Sequence, residues 1–99
     1  MQSDLTPLPR AAAETLALQA LSWIVADQDV AARFMGQTGI GPAELRASVS
    51  DPEFLGFVLD FILADEPALL AFCEARSIAP ERPLRARAGL PGGDLPHWT

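Results

Sequence analysis

Lysine and tyrosine are absent from the chain, and histidine and cysteine occur once each. Each shortage removes a class of function. Without lysine, all seven cations are arginine, set against 13 acidic residues, for a net charge of −6. A protein that works mainly on nucleic acid needs a basic surface to meet phosphates, so no nucleic-acid partner is expected. The same balance disfavours an anionic membrane surface. A single cysteine, Cys73, cannot close an internal disulfide and fits a reducing compartment. A metal site needs several converging ligands, whereas His97 is the only histidine and Cys73 the only thiol. No metal or cofactor is therefore expected. Long hydrophobic runs are missing too. The longest apolar stretch, Phe54 to Leu63, is too short to span a bilayer and contains Asp60. Met1 to Pro9 has neither a basic n-region nor an apolar h-region, so no signal peptide is expected. A cytoplasmic protein with no membrane partner is the expectation.

What is present is helical pattern. The chain has 99 residues, of which 49% are apolar, enough for one domain with a real core. Pro9 is suited to the first position of a helix running to about Ala26, with Leu16, Ala17, Ala20, Leu21 and Ile24 at helical spacing. Asp27 is a good N-cap for a second helix whose apolar face is Val30, Ala31, Phe34 and Met35. Gly36 and Gly39 supply residues able to end it, and Pro42 restarts a short third helix to about Val49. Ser50 or Asp51 caps a fourth, in which Gly56 and Asp60 alone break the apolar run. Such a helix is normally the centre of a bundle or meets a partner on its second side. Asp65 starts a fifth. A sixth after Pro80 is limited by Pro83 to its first turn or displaced in its start.

A shift of the chain that carries Leu21 onto Leu59 also carries Ile24 onto Ile62, Ala26-Asp27 onto Ala64-Asp65, Phe34 onto Phe72, and Ile40 and Pro42 onto Ile78 and Pro80. This predicts one helical unit used twice. The Ala-Asp joints leave almost no linker, and antiparallel hairpins usually need about two to eight connecting residues. The expected fold is all-α: a compact bundle of five or six short helices, arranged as two bent helix pairs from an internal repeat. The expected divisions are a loose lead-in over 1–8, one helical domain over 9–88 and an extended or flexible tail over 89–99.

The run Leu18-Gln19-Ala20-Leu21, the segment Phe34 to Leu45, the stretch Asp51-Pro52-Glu53-Phe54-Leu55 through Leu63-Ala64-Asp65-Glu66, and Leu90-Pro91-Gly92-Gly93 together resemble a family of short, all-helical alphaproteobacterial proteins of unknown function. The resemblance covers most of residues 14–93. It implies no catalytic residues. It tilts the expected partner towards signalling proteins, because such genes can lie near response-regulator genes.

The remaining candidates for chemistry have simpler readings. Cys73 falls where Met35 lies in the first unit and reads as a small buried hydrophobe. Asp27, Asp51, Asp65, Glu53 and Glu66 sit at predicted helix starts, where the helix dipole favours them. Gly36, Gly39 and Gly41 follow no strand and match no phosphate loop. A helix-turn-helix around Gly36 to Val49 would offer Arg46 as its only third-helix cation, too few for phosphate contacts.

Two features stand above this background. In the internal alignment Phe57 replaces Gln19, a polar-sector residue, and lies angularly beside Asp60. Trp98, in Leu95-Pro96-His97-Trp98, is an aromatic in the expected tail that would dock in a partner groove or fold back on its own domain. Phe57, Asp60 and Trp98 are the candidate protein-binding residues. The expected function is a non-catalytic helical interaction module that meets a protein partner or self-associates as a homodimer. The alternative is a small-ligand-binding domain or minor enzyme with a pocket between the two units.

Overall fold

Aspartate side chains start three of the helices. In the computed structural model, which describes residues 6–92, these are Asp27, Asp51 and Asp65. The helices are α1 (Arg10–Val25), α2 (Gln28–Thr38), α3 (Pro42–Ser48), α4 (Pro52–Leu63), α5 (Glu66–Arg76) and α6 (Arg82–Ala88). No strand occurs among the described residues. The described residues form an all-α bundle of six short helices.

The two joints share their geometry. Asp27 and Asp65 are both extended, and each side chain accepts from the backbone of the next turn, Asp27 from the Asp29 and Val30 N–H groups and Asp65 from that of Ala68. Ala26 and Ala64 close the preceding helices onto Ser22 and Asp60 respectively. α2 and α5 are equal in length, and both end in the left-handed region, at Gly39 (φ 72°) and Ser77 (φ 55°). Gly36 does not end α2; it lies inside the helix. Helix α1 starts one residue later than expected, with Pro9 as the cap, because its ψ of 152° is extended. The restarts differ. α3 begins at Pro42, whereas α6 begins at Arg82, two residues beyond the position matching Pro42, with Pro83 in its first turn.

The core is built around α1 and α4, which pack together, with α6 against both. Ala13, Ala17 and Ala20 let α1 approach closely, while Leu55, Val58, Leu59 and Ile62 fill from α4. Two of the aromatic contacts between the units form a matched set. Phe34 of α2 meets Phe61 of α4 edge-on at 5.2 Å, and Phe72 of α5 meets Trp23 of α1 edge-on at 6.0 Å. The shift that aligns the units exchanges these pairs, which is the reciprocity a pseudo-two-fold requires. Burying a phenylalanine such as Phe34 contributes about 2–3 kcal/mol.

The chain ends of the described region meet at α6. Leu8 is buried, and its N–H donates to the Arg85 carbonyl at 3.0 Å. Arg85 Nε donates to the Thr6 carbonyl at 2.8 Å. Gly89 has a positional reason: a Cβ there would lie 2.3 Å from the Leu8 carbonyl oxygen. The docked chain thus begins inside the stretch read as a loose lead-in, because Leu8 has a core site to fill. Leu90, in the stretch read as a tail, is buried as well.

Candidate functional site

The fourth helix buries Phe54, Leu55, Gly56, Val58, Leu59, Phe61 and Ile62, and leaves Phe57 outside. Phe57 is 55% exposed, the most exposed large hydrophobic side chain among the described residues. Its ring stands between two open depressions. One, of about 500 Å³, is bounded by Gln37 and Thr38 at the end of α2 and by Phe57, Asp60, Phe61 and Ala64 of α4. The other, of about 410 Å³, lies between the α3 region and the start of α4, and Ile40, Phe54 and Phe57 line it together with Glu44, Asp51 and Glu53.

Asp60 shares this edge but is committed to the fold. It receives Arg87 at two points, Nε to Oδ1 at 2.6 Å and Nη2 to Oδ2 at 3.2 Å. Arg87 Nη1 also donates to the Pro91 carbonyl at 2.9 Å. The guanidinium lies across Gly56, where a Cβ would approach Nη1 to 2.9 Å. Gly56 is therefore the gap through which α6 grips α4. Sequence reasoning gave neither Gly56 nor Arg87 a role. The signal was available, since the internal alignment sets Gly56 against Leu18, a change from large to nothing. Trp98 and His97 lie outside the described residues.

A second charged pair also serves the fold. Arg33 bridges the units, reaching Asp65 at 3.0 Å and lying 5.5 Å from the Phe61 ring centre. The Asp65 carboxyl is held below the usual aspartate range, first by the Ala68 N–H and then by Arg33. Burial pushes the Cys73 thiol up, and the negative charge of Glu81 adds to it. A thiol so placed stays protonated and is a poor nucleophile. Among the described residues no group of three or more His, Cys, Asp or Glu is placed to hold a metal ion. No helix among them is long and apolar enough to cross a membrane.

A third depression, of about 420 Å³, separates α1 from α3 and is lined by Leu18, Leu21, Val25, Leu45 and Val49. Leu18, Val25 and Val49 are exposed there. The described surface offers apolar side chains at the mouths of grooves.

An all-α bundle, with six helices among the described residues and grooves on both sides of the third, is the class these features define. Residues 10–93 match the family described as "Protein of unknown function (DUF3572)", and the chain belongs to that family. No curated protein and no solved structure matches it.

Proposed function

We propose that the protein is a non-catalytic, cytoplasmic interaction module whose docking surface is the Phe57 ridge of α4. The observation that carries this is the exposure of Phe57 on a helix whose other aromatic residues are buried. Leaving about half of a large ring in water forfeits about 1–1.5 kcal/mol of burial that a partner would recover. A ridge between two grooves lets a partner cover the ring from both sides, which is how aromatic anchors gain most. A small ligand between the units is less well supported. The inter-unit depression lies between α2 and α4, but two of its three polar side chains are used internally: Thr38 Oγ1 donates to the Phe34 carbonyl and Asp60 is held by Arg87.

Affinity purification from the native cell tests the reading. Wild type, Phe57→Glu and Leu70→Glu would be compared, Leu70 being exposed on α5. Loss of partners with Phe57→Glu alone is expected. Identical partner sets for all three would overturn it. Trp98→Ala in the same comparison reports whether the C-terminal aromatic contributes.

A further inference from the structure

We infer that the partner presents a cationic amphipathic segment, with an apolar side chain beside the Phe57 ring and lysine or arginine towards the acidic rim. This rests on the docking reading above and specifies its occupant. Charge on this face is one-sided. Glu44, Asp51 and Glu53 line the groove on the α3 side of Phe57, and no arginine lines either groove. Two cations lie close by, and each is already paired: Arg87 with Asp60, and Arg33, over the Phe61 ring, with Asp65. Asp51 and Glu44 each accept one backbone N–H, at 3.0 and 2.8 Å, from Glu53 and Gly41. A carboxylate has about four lone-pair sites, so both keep capacity for a partner. The Glu53 carboxylate makes no hydrogen bond to any described residue and is exposed.

The other side of the ridge is different in character. Phe61 and Ala64 line it with Phe57, beside Gln37, Thr38 and the Asp60 carboxylate that Arg87 neutralises. An apolar stripe thus runs beside an acidic one. A helix with leucine-like residues on one face and cations along its edge matches both stripes at once. A second copy of the chain matches worse, because its own acidic rim would face this one and each copy carries a net charge of −6. The chain's own residues 93–99 carry Asp94 and neither lysine nor arginine.

The test uses the isotopically labelled full chain and three synthetic peptides of equal length: leucine–lysine amphipathic, leucine–glutamate amphipathic, and lysine–glutamine without an apolar face. Amide and aromatic shifts are followed at low and at physiological salt. The leucine–lysine peptide is expected to shift Ile40, Phe57 and Phe61, and to bind less well as salt rises, since exposed charges are screened. Phe57→Ser should weaken it by about tenfold, and Glu53→Gln by about threefold. Leu70→Ser should leave it unchanged. Equal seating of the leucine–glutamate peptide at Phe57 would overturn the cationic inference and leave the docking surface standing. Equal binding by the lysine–glutamine peptide would overturn both. Shifts centred on Phe57 that grow with protein concentration in the absence of peptide would assign the face to a second copy and overturn the inference. So would no shift around Phe57 with any peptide.

Discussion

The two third helices, α3 and α6, follow matching units and end up differently. α6 buries Pro83 and Ala86 and packs against both α1 and α4, whereas α3 buries no residue. The contrast follows from a few positions. Where α4 has Gly56 and Asp60, α1 has Leu18 and Ser22. The glycine admits the Arg87 guanidinium and the aspartate holds it. On the first unit, Leu18 stands out into solvent and an open groove separates α1 from α3. A repeated unit thus keeps its joint geometry while a glycine, an acid and a cation decide whether the next helix is clamped. The loosely held copy is the one beside the Phe57 ridge.

The most demanding test of the equivalence removes the exchanged aromatics. Phe34→Ala and Phe72→Ala should each cost about 3–5 kcal/mol in urea denaturation, because both rings are fully buried. Phe34 should cost more, since it meets Phe54 at 6.0 Å as well as Phe61. A cheap Phe72→Ala would show that the second pairing does not bear the same weight.

Rebuilding the first unit's surface on the second comes next. Gly56→Leu places a side chain where Arg87 lies and should destabilise by about 1–3 kcal/mol. Chemical shifts of α6 should move more than those of α2. An unchanged melting curve would mean that the arginine clamp is not what separates α6 from α3.

Smaller effects of opposite sign are expected at the two left-handed caps. Gly39→Ala forces a Cβ into φ 72° and should lose about 1 kcal/mol, while Ser77→Gly relieves φ 55° and should gain up to about 1 kcal/mol. Thermal melts of the two variants would resolve the signs.

The gentlest probe is pH. The Asp65 carboxyl is depressed on folding, so its contribution is present above the unfolded-state value and is lost as pH falls through the folded one. Urea midpoints should therefore drop below about pH 4. Arg33→Ala should shrink that drop by removing one of its two main causes, and a drop identical to wild type would exclude the bridge. No matching bridge exists in the other copy, where Ala71 stands at the position of Arg33.

The helices, their aspartate caps and the shared joints were legible because short-range rules write them. An Asp before a helical run needs only its own next turn. The restart of α6 was half legible: Pro83 announced a displaced start, but where it restarted depended on what α1 and α4 offered. Ser77 in the left-handed region gave no sign in its own residue type; only its alignment with Gly39 points there. Gly56, Gly89 and Arg87 were illegible locally because each answers to a residue far along the chain, Arg87, Leu8 and Asp60 respectively. Phe57 was legible as a mismatch between copies, though only folding could show its exposure. Trp98 lies outside the described residues.

Leu8, resting on Gly89 and bonded to the Arg85 carbonyl, brings the two described ends side by side. The order in which the units are strung is therefore nearly arbitrary. A permuted gene that starts at Asp51, runs through α6, crosses a short designed linker to Thr6 and finishes after α3 needs no helix to move. The opening would fall next to the more loosely held helix, and the acidic groove would acquire a new chain terminus at its edge. Such a protein would separate the connectivity of the molecule from its architecture.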